Sequence, residues 1–221
     1  MPTALESRAA LRLLTGSAVA QVTRLLGSLS GSPESQRSDL FDALPALIGY
    51  FSDGSSALAA DFYDDERERA GARGRFTSEP VVADRAEKIA RAIAWATEPL
   101  FEPTDTTVVQ RLAPVVQLET ARPYRDTITA NQARDPEAVG WRRVTSGGCP
   151  FCRMLASRGA VYRHDTARFA SHTDCHCTAQ PVFKGEPGEE ADVMQYVASK
   201  RRRTDAERAR LREYLAENFP D

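Results

Sequence analysis

Apolar positions recur every three to four residues along most of this chain, the period of a helix with one buried face. In the first stretch, residues 4–29, the stripe is Leu5, Ala9, Leu11, Leu14, Val19, Val22, Leu25, Leu26 and Leu29, closed by Gly27, Gly31, Ser32 and Pro33. A second run over 35–70 carries Leu40, Phe41, Leu44, Leu47, Ile48, Phe51, Leu58, Phe62 and Tyr63, with Pro45, Gly49 and Gly54 predicting a kink or a split. Its charged end, Asp64 to Arg69, reads as a solvated face. After a loop at Gly71-Ala72-Arg73-Gly74, Asp84 and Glu87 resemble a capping signature for a helix through Thr97 that buries Ile89, Ala92, Ile93 and Trp95 and ends at Pro99 and Pro103. A long helix over 105–134 follows, with Val108, Val109, Leu112, Val115, Val116, Leu118 and Ile128 on one stripe, interrupted by Pro114 and Pro123. Short connections make an antiparallel bundle the simplest arrangement.

The pattern changes at Gly140-Trp141. Residues 141–184 hold little helical periodicity, and 160–163 and 178–183 read as short strands. A linker at 184–190, with Gly185, Pro187 and Gly188, leads to a last helix opened by Thr204 and Glu207 and running to about Asn218; the basic quartet Lys200 to Arg203 before it reads as solvated. The expected fold is mainly α with a small α+β C-terminal domain: a helical bundle over 1–138, a Cys/His domain with a short β-hairpin over 139–186, and a helical tail over 187–221. There is no internal repeat. The N-terminus carries no secretory pattern, and no run approaches the roughly 18 apolar residues of a membrane span. A protein assembled in a reducing cytoplasm is expected, where clustered cysteines favour metal over disulfide.

Composition adds two points. Hydrophobic residues at 42% and charged residues at 27% exclude wholesale disorder, and a net charge of −2 argues against a protein that coats nucleic acid by bulk charge. Arginines are nevertheless dense in the small region, at 142, 143, 153, 158, 163 and 168, which leaves a local basic patch open. All four cysteines and all three histidines lie between positions 149 and 177. Cys149-x2-Cys152 follows Gly147-Gly148, a backbone loose enough for a turn that aims two sulfurs at one point. His172-x2-Cys175 supplies a second half-site by the same spacing. Together they specify a closed Cys3His site for one structural zinc, with Cys177 competing for the last position because it shares a face with Cys175 on an extended segment. His164 reads as a loop residue and His176 as an outward strand residue. Disulfides, free buried thiols or a site that has lost its metal are the blander readings. Catalytic signatures are missing: there is no His-Glu-x-x-His, no deaminase pattern, no Gly-x-Ser-x-Gly and no phosphate loop. Cys177 with His172 or His164 could pair as a nucleophile, as in any such cluster.

The order Arg125-x-Thr127-x3-Asn131, Gly140-Trp141, Ser146 to Cys152, Arg158 to Tyr162, and His172-x2-Cys175-His176-Cys177 before Pro181-Val182-Phe183 resembles the phage Mu F-like minor head proteins, in the form found in actinobacterial tailed phages. The helical segments around 59–64 and 74–77 look like theirs too, so the resemblance covers roughly 5–185. It implies a minor capsid protein, in few copies per virion, that acts in head morphogenesis on the portal or the inner face of the major capsid protein. Contact with packaged DNA is a further implication. Relatives labelled capsid maturation proteases usually carry a fused protease region, for which this chain has no stretch. Where the family commonly has Arg between the closing cysteines, His176 stands here. A capsid-processing protease or other hydrolase using the cluster, and a DNA-binding zinc module, are the alternatives to the structural reading.

Overall fold

A computed structural model describes residues 1–102, 104–169, 171–172, 175–186 and 201–220. Six α-helices and one two-stranded antiparallel sheet are present among them, so the chain is mainly helical with a small β element, as its periodicity predicts. No helix there is long and apolar enough to cross a membrane.

Helix α1 (Ala4–Ser28) opens on a capping box in which the Thr3 hydroxyl accepts from the Glu6 N–H and the Glu6 carboxylate accepts from the Thr3 N–H. Helix α2 (Pro33–Arg69) starts with Ser32 as cap and Pro33 in its first turn. It then runs unbroken through Pro45, Gly49 and Gly54, against the expected split. An interior proline costs roughly 3 kcal/mol of helix propensity. Packing on Leu40, Leu44, Ile48 and Phe51, all buried, outweighs that. Helix α3 (Ala86–Ala96) has Arg85 as its uncapped start; the Asp84 carboxylate accepts from the Ala86 N–H instead of closing a box with Glu87. Ile93 is buried as expected and Ile89 packs on the core, but Trp95 is exposed beneath the Arg111 guanidinium. Pro99 lies in a 3-10 turn over Glu98–Leu100, whereas Pro103 is outside the described residues. Helix α4 (Val108–Arg134) is capped by Thr107 and Gln110 and is continuous through both of its prolines.

Direction along the bundle follows from who packs with whom. The second half of α1, the first half of α2, α3 and the first half of α4 share one core: Ala18, Val22, Leu40, Leu44, Ile48, Ile93, Leu112 and Val116. Leu11 of α1 meets Phe62 and Tyr63 of α2 and Tyr124 and Ile128 of α4 in another. Helix α1 is therefore antiparallel to both, while α2 and α4 run in the same direction, which the simple antiparallel expectation missed. A parallel pair needs a return path. Residues 76–85 provide it as an extended strap: Ser78 bonds Asp64 and the Ala60 carbonyl, Glu79 bonds Asn131, and the Val81 N–H donates to the Thr127 hydroxyl at 2.9 Å.

The second core continues past residue 138 into Trp141, Met154, Leu155, Tyr162, Ala179 and Phe183. Strand β1 (Ala138–Val144) pairs antiparallel with β2 (Thr178–Phe183), setting Trp141 opposite Pro181 and Arg142 opposite Gln180. The β2 segment matches expectation. Residues 160–163 do not form a strand; only Tyr162 bridges to Trp141, whose ring stacks on it with centroids 4.5 Å apart. A short helix α5 (Pro150–Ala156), which no periodicity announced, follows the first cysteine, and α6 (Asp205–Asn218) opens on the expected Thr204–Glu207 box. The linker expected at 184–190 is described only to residue 186, and Lys200 of the basic quartet lies outside the described residues; Arg201 to Arg203 are exposed.

The run Asp64 to Arg69 corrects its solvated reading. Glu66 and Arg67 are buried, one turn beyond Phe62 and Tyr63 on the same face. The Gln180 amide donates to Glu66 at 2.7 Å, tying α2 to β2. Arg67 donates to Asp135 at 2.9 Å and to the Arg73 carbonyl, and the Tyr63 hydroxyl shares the same carboxylate. Burial and that carboxylate push the Tyr63 hydroxyl far above its ordinary range, so it remains a donor. Asp135→Ala would leave Arg67 buried without its counter-charge. The expected loss is about 3–5 kcal/mol of unfolding free energy, measured by urea denaturation; a loss under about 1 kcal/mol would mean that the pair is solvated after all.

Candidate metal centre

The two half-sites are delivered by separate elements. Cys149 is the first residue before α5, and Cys152 sits in its first turn and is buried. Gly147 adopts φ +63, a left-handed conformation that glycine tolerates best, and turns the chain into the helix. Gly148 has a different reason to be glycine. A Cβ there would clash with the Thr145 hydroxyl and stand 3.1 Å from Cys152 Cβ and 3.5 Å from Cys177 Sγ. Cys175 and Cys177 lie just before β2, both buried.

The expected ligands fall into two groups of three donors that share Cys152. Cys149 Sγ is 3.1 Å from His172 Nε2, Cys152 Sγ is 3.6 Å from the same nitrogen, and Cys152 Sγ is 3.8 Å from Cys175 Sγ. Cys149, Cys152 and His172 form one group of donors within 4.8 Å of one another, and Cys152, Cys175 and Cys177 form a second, so Cys152 belongs to both. All four cysteines are free, which sets the disulfide reading aside. Tetrahedral zinc with bonds of about 2.3 Å to sulfur and about 2.0–2.1 Å to nitrogen places two sulfurs about 3.8 Å apart and a sulfur and a nitrogen about 3.6 Å apart. The Cys152–Cys175 and Cys152–His172 separations match those values. This donor set can hold a metal ion. Cys177, the competing ligand, also lies 3.4 Å from the Thr145 hydroxyl, to which its thiol can donate. Thr173 and Asp174, inside the second half-site, are outside the described residues.

Thiol chemistry is uneven across the cluster. Donation from Cys152 and Cys177, aided by the Arg125 charge and opposed by burial, holds the Cys175 thiol far below its ordinary range. Cys152, as the donor to Cys175 and Cys177, is pushed far above it. Burial works against the Cys149 thiolate, but the Cys152 backbone and the His172 ring bring that group below its usual value. His164 is exposed, as expected. His176 is not an outward residue: it is half-buried, with Nδ1 3.4 Å from the Gln117 amide nitrogen. Burial first, then the Arg12 and Arg8 charges, lower its pKa and keep it neutral.

Sequence reasoning missed the residues that hold the second half-site. On α4, the Gln117 amide donates to the Cys175 carbonyl at 3.1 Å. Arg125 donates to the same carbonyl at 2.6 Å and to the Cys177 carbonyl at 3.0 Å. Its guanidinium also faces the Phe169 ring, whose other contacts include Arg143, 3.9 Å from the centroid and itself 3.9 Å from Cys152 Sγ. A signal for Arg125 existed, since it falls in helical phase between Ala121 and Ile128, both buried. The arginines of the expected basic patch are largely engaged internally: Arg142 bonds Gln180, Arg153 bonds the Phe219 carbonyl, and Arg163 bonds the Val139 carbonyl.

A family model described as VG15 protein matches residues 3–201. The chain therefore belongs to the VG15 family, a family of viral and phage genes, and is a phage protein. No curated protein and no solved structure matches it.

Gly148→Ala should force the Thr145 side chain away and press on Cys152. The expected result is metal affinity lower by about 10–100-fold in a competition titration with a chromogenic chelator, with the far-ultraviolet helical signal preserved. Unchanged affinity would show that the glycine is not needed for the site.

Proposed function

We propose that this VG15-family phage protein is a structural minor capsid protein of Mu F-like type. It acts in head morphogenesis, held at the portal or the inner face of the major capsid protein, and one structural zinc staples its C-terminal region. Cys149, Cys152, His172 and Cys175 are the ligands, with Cys177 in reserve. The observation that carries the reading is the number of donors: Cys149, Cys152 and His172 form one group and Cys152, Cys175 and Cys177 another, so the two segments offer five candidate ligands, more than the three a catalytic zinc keeps beside its water. The ordered motif from Arg125 to Phe183 supports the Mu F-like assignment, and phage membership supports assembly in the host cytoplasm and residence in the virion. The staple has a physical purpose, because among the described residues the segment between β1 and β2 contains one short helix and little core of its own.

Two measurements test this. Proteomics of purified particles should find the chain at low copy, cross-linked to portal or major capsid protein; its absence from intact virions would end the capsid reading. Elemental analysis of the isolated protein should find zinc at one ion per chain. Its removal with a chelator should accelerate hydrogen exchange around Cys149–Cys152 and Cys175–Cys177 while α1, α2 and α4 stay protected. Uniform protection before and after chelation would remove the staple.

A further inference from the structure

A cavity of about 210 Å3 lies between α2, the strap, the start of α3 and α4, with Ile48, Val82, Ile89 and Pro123 among its apolar walls. That is below the roughly 300–1,000 Å3 of pockets that take drug-sized ligands, so its occupant is small. Its charged lining comes from the strap, as Asp84 and Arg85, and from α4, as Glu119, Arg122 and Asp126. Four of these five are committed. Arg85 and Glu119 hold each other through two hydrogen bonds, one of 2.7 Å, and the Arg122 guanidinium stands 3.9 Å from the same Glu119 carboxylate. The Asp84 carboxylate accepts from the Ala86 N–H. Asp126 differs. Among the described residues its carboxylate accepts no hydrogen bond and joins no ion pair, although it is partly buried. Burial raises its pKa, and the Arg122, Arg85 and Arg125 charges oppose that from a distance.

We propose that this cavity binds a primary aliphatic ammonium, with the ammonium on the Asp126 carboxylate and the alkyl stem against Ile48, Val82 and Pro123. Three carboxylates face two guanidiniums in the lining, so a single positive charge balances the site. A carboxylate drawn partly out of water is costly without a donor, and a charged donor answers both its charge and its lone pairs. A phosphate or other anion would bring the wrong sign, and a neutral stem would leave Asp126 as it is. Neighbouring Arg125 donates to the Cys175 and Cys177 carbonyls instead, and no cysteine or histidine lines the cavity, so the site does not depend on a bound metal. An aliphatic ammonium has two sources, a free diamine and the lysine side chain of a partner protein.

The test titrates the full chain with n-butylammonium and follows backbone amide shifts by two-dimensional NMR. Saturable shifts at Val82, Ala83 and Asp126 are expected, while n-butanol and butyrate, which keep the stem and change the head group, should bind at least about tenfold more weakly. Asp126→Asn should weaken n-butylammonium binding by about 10–100-fold. Its urea midpoint should be no lower than that of the wild type, because the carboxylate holds nothing in place. Diaminopentane and Nα-acetyl-lysine methylamide then separate the two sources: tighter binding of the first assigns a free diamine, and of the second a partner's lysine. Butanol binding as tightly as butylammonium, unchanged binding in Asp126→Asn, or no saturable shift at these amides overturns the proposal. A lowered urea midpoint in Asp126→Asn does so too, since the carboxylate would then be holding the fold.

Discussion

A helix face covered by protein has no water to satisfy its polar side chains, and most of α4 from Val116 to Gln132 is so covered, with only the stripe Leu118, Arg122, Asp126 and Ala130 partly exposed. Most polar groups on its covered faces find partners inside the molecule. Thr127 and Asn131 take the backbone of the strap, Arg125 and Gln117 take the carbonyls of the cysteine segment, and Tyr124 bonds Ser7 of α1 at 2.7 Å. The rest of the architecture is arranged around those demands. The strap allows α2 and α4 to lie parallel, and the cysteine segment is held against the bundle by the same helix that forms its core.

Seen from α4, the motif Arg125-x-Thr127-x3-Asn131 is one device with two outputs. Arg125 points to the Cys175–Cys177 segment, while Thr127 and Asn131, on another side of the helix, fasten residues 79–81. Side chains two residues apart on a helix diverge by most of a half-turn, so the motif can serve both neighbours only if the helix is covered on both sides. The partition of the chain near residue 138 is correspondingly one of secondary-structure type, since a single core crosses it.

Much of this was legible in the sequence. Helix periodicity located α1, α2 and α4, and the Thr204–Glu207 box fixed the start of α6, because capping is local chemistry. The ligand spacing pointed to a Cys/His cluster for the same reason, and the structure gathers its donors in two groups that share Cys152. What escaped depends on long-range packing. Pro45, Pro114 and Pro123 stay in continuous helices because neighbours outweigh the local preference. Glu66 and Arg67 look like surface charges until Asp135 and Gln180, far along the chain, are brought to them. Helix α5 is too short for periodicity, and β1 was invisible because Tyr162 and β2 both have to arrive beside it.

The ties that hold the cysteine segment join residues distant in sequence: Gln117 to Cys175 across 58 positions, Arg125 to Cys177 across 52. Closing loops of that length is entropically slow, so such contacts form only after the intervening chain has collapsed. The order of events in folding is thereby set by topology. On that ground the helices are expected to dock first, with the β1–β2 pairing, the carbonyl ties and the cysteine groups following. On the proposed zinc reading, ion capture would report completion: a chain with a misplaced α4 would have its sulfurs apart and bind weakly, and one that had finished folding would be locked by the ion.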